Sequence, residues 1–166
     1  RVLDDGTAAL VDVTDAASPA AFAQMLRAYP HIATLRFHDC PGTLDDVANL
    51  RLGRMIRAAH LAVEVPAGGS VRSGAVELVL AGSSIAIADR AEFAVHGWID
   101  EQGLGAADYA PDAPEHRKYL AYYRDMGLGD GAAQRLYAMT NSVPFKDARW
   151  LTGAEMRGWV GLSGTA

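Results

Sequence analysis

The stretch Gly68-Gly69-Ser70-Val71-Arg72-Ser73-Gly74-Ala75-Val76-Glu77-Leu78-Val79-Leu80-Ala81-Gly82 reads as a glycine-rich loop running into an apolar helix, with Ser73 at the junction. A helix start carries unpaired backbone N–H groups and the positive end of the helix dipole. A serine held there can meet a carbonyl carbon while neighbouring amides take up the negative charge that develops on its oxygen. Serine is also a favoured N-cap. The stretch alone therefore leaves two readings of Ser73 open, a cap or a nucleophile. Chemistry needs a base, an orienting acid and an oxyanion pocket from elsewhere in the chain.

Upstream, Leu61-Ala62-Val63-Glu64-Val65 is a strand, so the serine loop closes a strand–loop–helix unit. A second unit of the same design precedes it. Ile32-Ala33-Thr34-Leu35-Arg36-Phe37 is a strand, and His38-Asp39-Cys40-Pro41-Gly42 is a turn by composition. Thr43 with Asp46 then fits a capping box, and Leu44, Ala48, Leu52, Met55, Ile56 and Ala59 share one helical face. Two such units side by side imply a parallel sheet with right-handed crossovers. Binding sites in such sheets lie at the carboxyl ends of the strands, which puts the Pro41-Gly42 turn and the Ser73 loop on one edge.

The remaining elements follow from the same signals. Ala8 to Val13 is a short strand, and Ser18-Pro19 opens a helix that runs to about Tyr29 and buries Phe22, Met25 and Leu26. Ser84–Ala88 and Glu92–His96 are strands, the second ending in His96. The segment 98–114, rich in Gly, Ala, Asp and Pro, reads as a lid loop over the site edge. Glu115–Met126 is a helix with Tyr119, Tyr122 and Tyr123 as a core face, a groove lining or an oligomer seam. Another helix spans Ala132–Met139, a connector holds residues 143–149, and Thr152 with Glu155 caps a last helix. Residues 163–166 are expected to fray.

The bulk composition narrows the function. The 166 residues suit one domain with a real core, residues 1–166 throughout. A net charge of −5 argues against a nucleic-acid or anionic-membrane surface. No apolar run approaches the ~20 residues that span a bilayer. The chain opens at Arg1 rather than Met, the mark of a processed or trimmed product. With Cys40 as its one cysteine, the chain forms no internal disulfide. Cys40 and His38 fall far short of zinc-ligand spacing, so no metal and no cofactor is expected.

Three blocks together resemble the caseinolytic-protease side of the Clp protease/crotonase superfamily. They are Cys40-Pro41-Gly42-Thr43 after a strand, Ser73-Gly74-Ala75 before an apolar helix ending Leu80-Ala81-Gly82, and Phe93-Ala94-Val95-His96 at a strand end. The resemblance covers about Ile32 to Leu162 and is closest to a bacterial branch described as predicted periplasmic proteins of Clp-protease-like fold. It implies an α/β fold of repeated ββα units with a mostly parallel sheet and flanking helices. It also implies a periplasmic or secreted compartment, while the residues themselves are equally compatible with the cytoplasm.

For roles, the resemblance implies Ser73 as nucleophile and His96 as general base. The N–H groups of Gly74 and of Gly42 or Thr43 would form the oxyanion hole. Asp147, before the block Trp150-Leu151-Thr152, would be the orienting acid, with an offset one residue longer than in the caseinolytic protease; Asp100 and Asp108 are the next candidates. The family turn has two glycines where this chain has Gly42-Thr43. Trp98–Gly131 is unlike the handle region that builds the family's double ring, so neither ring assembly nor an ATPase partner carries over. The expected activity is a serine hydrolase, a peptidase, acting on a peptide or acyl substrate, with a homo-oligomer possible. The alternative is a catalytically silent member that binds a peptide or acyl ligand in the same cleft. Ser70 is a competing hydroxyl read as a loop residue, and Glu77 is read as pairing with an arginine or reaching the sheet edge.

Overall fold

The structure is a computed structural model that describes residues 1–161; the expected frayed tail lies outside the described residues. Among the described residues, eight strands and six α-helices follow one another, with a short 3-10 turn at Ala106–Asp108. The strands are β1 (Thr7–Leu10), β2 (Thr34–Phe37), β3 (Asp39–Cys40), β4 (Ala62–Val65), β5 (Ser70–Arg72), β6 (Ile85–Ile87), β7 (Glu92–Val95) and β8 (Arg149–Thr152). The helices are α1 (Ser18–Ala28), α2 (Asp46–Ala58), α3 (Ala75–Val79), α4 (Pro114–Asp125), α5 (Asp130–Thr140) and α6 (Gly153–Val160).

The strands form two four-stranded sheets rather than one, β1-β2-β4-β6 and β3-β5-β7-β8. Every pairing is parallel except β7 with β8. Each repeat sends one strand to the first sheet and the next to the second, and in the first two repeats a helix follows: β2-β3-α2 and β4-β5-α3. That is the expected ββα design. The sequence reading missed the second strand in both units, taking Asp39–Cys40 for a turn and Ser70–Arg72 for a loop. Strands of two or three residues carry no periodicity to read; what makes them strands is pairing across the second sheet. β8 was missed as well, with Arg149 read as the end of the connector and Trp150-Leu151-Thr152 as the lead into the last helix.

In the first sheet, Leu35, Phe37, Val63 and Val65 alternate into the core. Arg36 and Glu64 face each other in register on the opposite face, with Nε and Nη2 both donating to Glu64 Oε2 at 3.0 and 2.9 Å. Chain reversals aim the second sheet at the site. Asp12, at a φ of 71°, turns the chain out of β1 so that Thr14 N–H donates to Gly42 O at 3.0 Å.

Helix α2 starts two residues later than expected. Asp45, not Thr43, is its N-cap and accepts from Ala48 N–H at 2.9 Å. Thr43 Oγ1 instead bonds the Asp45 amide and carbonyl. The shift removes Leu44 from the apolar face, and it stands 78% exposed. The buried face of α2 packs on α4 through a close approach at Gly53. A Cβ there would overlap the Tyr122 hydroxyl, and the fully buried Tyr122 donates that hydroxyl to Glu77 O at 2.6 Å. Gly53→Ala is expected to destabilise the fold by about 1–3 kcal/mol through overpacking, read as a lower denaturation midpoint at unchanged m-value.

Candidate active site

Ser73 stands between β5 and α3 with a φ of +51°, in the left-handed region that costs a non-glycine residue about 1–2 kcal/mol. Its amide donates to Ala94 O at 2.8 Å, which ties the β5 end to β7 and fixes the turn. Strained residues of this kind cluster where a side chain must be presented, as at other strand–serine–helix turns. The cap reading of Ser73 does not hold. Gly74 is the N-cap of α3, and among the described residues Ser73 Oγ makes no hydrogen bond. The helix behind it is five residues long, too short for the dipole argument; individual amides matter instead.

Those amides come from two interlocked turns. Gly42 has a φ of +137°, and a Cβ there would lie 2.9 Å from Ser73 Cβ and 3.3 Å from Ser73 Oγ. Across the contact, a Cβ on Gly74 would meet Thr43 Cγ2 at 2.5 Å. Thr43 thus crowds the site as its side chain implied. The amides of Gly42, Thr43 and Gly74 donate to no group among the described residues. Two residues that drew no attention in the sequence hold the turns together. Asn49 Nδ2 donates to Gly74 O at 2.6 Å, and Thr14 Oγ1 donates to Asn49 Oδ1 at 2.9 Å. Both side chains are buried. The sequence signal was faint: a polar residue on the buried face of an otherwise apolar helix.

His96 follows β7 on the same edge, and Ser73 and His96 line one cleft of about 530 Å³. No hydrogen bond joins them; catalytic contacts of this type tighten when substrate binds. His96 Nδ1 lies 3.0 Å from Gly97 O. A carbonyl only accepts, so this bond places the proton on Nδ1 and leaves Nε2 with its lone pair. Gly97 N–H in turn donates to Val143 O at 2.7 Å, which brings the connector alongside. The connector residue that reaches the imidazole is Phe145, edge-on with centroids 4.8 Å apart.

Asp147 is exposed, does not line the cleft and makes no ion pair or hydrogen bond with His96. The structure therefore does not bring the expected third member to the base. Asp100 lines the cleft but is spent on its own turn, accepting from Gln102 and Leu104 amides and from Tyr109 Oη. Asp108 accepts from Gly105 N–H. Segment 98–114 forms part of the cleft wall through Trp98, whose Nε1 donates to Tyr137 Oη at 2.8 Å. Ser70 accepts from Arg72 and Cys40 is fully buried, its thiol donating to Leu10 O and pushed up to about 12 by burial. Among the described residues no group of His, Cys, Asp and Glu is placed to hold a metal ion.

Glu77 lies on the cleft wall, 8% exposed, with Tyr123 Oη donating to its Oε1 at 3.0 Å. No arginine pairs with it among the described residues, contrary to the expectation. Burial, with Asp46 nearby, pushes its pKa up to about 7, against the partial relief of the Tyr123 hydrogen bond.

No protein-family model matches this sequence, and no curated protein matches it. Solved structures do. The 1510-N membrane-bound stomatin-specific protease, as a serine-to-alanine mutant, superposes with a TM-score of 0.61 at 18% identity over 95% of this chain and 76% of that one. A lysine-to-alanine mutant of the same protease, in complex with a substrate peptide, gives 0.57 at 17% over 95% and 74%. The fold is Clp-protease-like. These neighbours are not the periplasmic branch that the sequence resembled. Among the described residues no helix is long and apolar enough to cross a membrane.

Two outcomes check this geometry. Ser73→Gly should be about 0.5–1 kcal/mol more stable than Ser73→Ala in denaturant unfolding, because glycine relieves the left-handed strain in excess of its added chain entropy. Between pH ~4.5 and ~7 the native state holds a proton on Glu77 that the unfolded chain has released. Stability should therefore fall as pH rises through that window, and Glu77→Gln should flatten the fall.

Proposed function

We propose that this chain is a serine peptidase that works through an acyl-enzyme on Ser73. The observation that carries the reading is the strained Ser73, its hydroxyl unbonded and pressed against Gly42, in one cleft with His96 Nε2. Serine is a weak nucleophile without an adjacent base. Ser73 Oγ attacks the scissile carbonyl carbon and its proton passes to His96 Nε2. The carbonyl oxygen, now anionic, takes hydrogen bonds from the free amides of Gly74 and of Gly42 or Thr43. The C–N bond breaks as His96 returns the proton to the amine. Water then repeats the sequence to release the acid and free Ser73.

Orientation of the imidazole falls to Gly97 O in this scheme, not to a carboxylate. A second reading puts the base on Lys118. Its ammonium lines the same cleft without an ion-pair partner among the described residues, and one neighbouring protease was solved with a lysine replaced.

A fluorophosphonate probe tests both. Labelling should vanish in Ser73→Ala and fall by roughly 10²-fold or more in His96→Ala, with Lys118→Met losing less than about tenfold. The reverse order of the last two moves the base to Lys118. Asp147→Ala should label within about twofold of the parent. An intact protein that does not label at all supports the silent ligand-binding member instead.

A further inference from the structure

The cleft is rich in acidic side chains. Its charged lining comprises Asp45, Asp46, Glu77, Asp100, Glu101 and Lys118, with His96 beside the serine. Lys118 does not neutralise the acids. Its Nζ lies over the Tyr119 and Trp98 rings, 5.0 and 5.8 Å from their centroids, and forms no ion pair among the described residues.

Several of the acids are committed to the fold. Asp45 caps α2, Asp46 accepts from Tyr119 Oη at 2.6 Å, and Asp100 holds its own turn. Glu77 is different. It is more than nine-tenths buried, faces the cleft four residues after Ser73, and has one side-chain donor, the neutral Tyr123 hydroxyl. The same cleft also contains an unused acceptor. Asn141 Oδ1 is buried without a donor, its amide nitrogen being engaged by Tyr137 O and Thr140 Oγ1. A buried carboxyl without a cation and a buried acceptor without a donor both carry a desolvation cost that a cationic donor would remove.

We propose that the cleft takes a peptide with a lysine or arginine side chain next to the scissile bond, and that Glu77 is the specificity-determining residue that receives it. The inference rests on the serine-peptidase reading above and names its substrate class. A basic side chain brings the charge that Glu77 lacks and N–H groups for the spare acceptors. Leu44 and Val47, 78% and 71% exposed on the cleft's outer lip, suit apolar neighbours in the same peptide.

The selectivity carries a pH signature. The titratable groups around Glu77 are Asp46 on α2, Lys118, Tyr119, Tyr122 and Tyr123 on α4, Tyr137 on α5, and His96 after β7. Burial raises the tyrosine pKa values above their ordinary range, so these stay neutral near pH 7. His96 as base changes the rates of basic and neutral substrates alike. The ratio of the two rates therefore isolates Glu77, and it should climb as pH rises through about 7.

The test uses a neutral alkyl fluorophosphonate and two diphenyl phosphonates that differ only in a lysine or a norleucine side chain. In the latter pair Ser73 Oγ bonds to phosphorus, the P–O bond to phenol breaks, and phenol leaves with the proton. At pH 8 the lysine probe should react at least about tenfold faster. That ratio should collapse toward one at pH 5.5 and in Glu77→Gln, which keeps the Tyr123 hydrogen bond through its amide oxygen; a thermal melt confirms that the variant is folded. If the fluorophosphonate labels Ser73 while the two phosphonates react equally, or the ratio survives in Glu77→Gln, the basic specificity is overturned and the peptidase reading stands. If no probe labels, the peptidase reading has failed. Anisotropy of a dye-labelled Ala-Ala-Lys-Ala-Ala peptide against its norleucine twin then decides. A preference for lysine that is lost in Glu77→Gln supports the pocket, and equal binding overturns it.

Discussion

The left-handed backbone at Ser73 is the constraint on which the site depends. A non-glycine residue holds that conformation only when its surroundings over-determine it. Here they do so from three directions: the Ser73 amide on Ala94 O, the Ser73 carbonyl accepting from Val76 N–H, and the face of Gly42 against Cβ. Relax the turn and the hydroxyl swings toward a capping position, which is the common fate of a serine before a helix. The strain separates a presented hydroxyl from a cap. It also explains why Gly42 has no side chain: a Cβ there would stand 2.9 Å from Ser73 Cβ, closer than two such carbons pack.

The second sheet exists to hold this turn. β3 and β5 are too short to be stable as a pair, yet they put the Gly42 and Ser73 turns side by side on consecutive strands. The Thr14–Asn49–Gly74 chain then ties both turns to α2 and to the segment leaving β1. Because these buried polar groups satisfy one another, the site amides of Gly42, Thr43 and Gly74 remain free without leaving other orphans beside them. Rigid surroundings make free amides useful, since donors fixed in advance need no reorganisation when an oxyanion forms.

How far the sequence could be read follows from what each signal depends on. The long helices were legible because α4 and α5 carry enough turns for an apolar face and recognisable ends. The resemblance carried by three blocks pointed to Ser73, His96 and the Gly42 turn, and the structure sets Ser73 and His96 in one cleft with Gly42 against Ser73. The second strands of each repeat were not, since two or three residues have no period and their pairing is long-range. The α2 cap was misread by two residues because Thr43 and Asp45 both offer a suitable oxygen; the contact of Thr43 with Gly74 decides between them and is invisible in one dimension. Asp147 failed for a related reason. Offset along the chain located the connector correctly but not its side-chain direction, and the residue turned toward the imidazole is Phe145.

On the proposed reading, a carbonyl in place of a carboxylate changes what His96 can do as a base. Gly97 O fixes the tautomer of His96 as well as an aspartate would, because orientation needs only one directed acceptor. It stabilises the imidazolium less, since a neutral acceptor makes a weaker bond to a cation than an ionised one. Phe145 adds an apolar edge-on contact to the ring. Asp45 and Asp46 line the same cleft as the imidazole. On the proposed reading, this acidic lining sets the sign of the side chain that the cleft accepts.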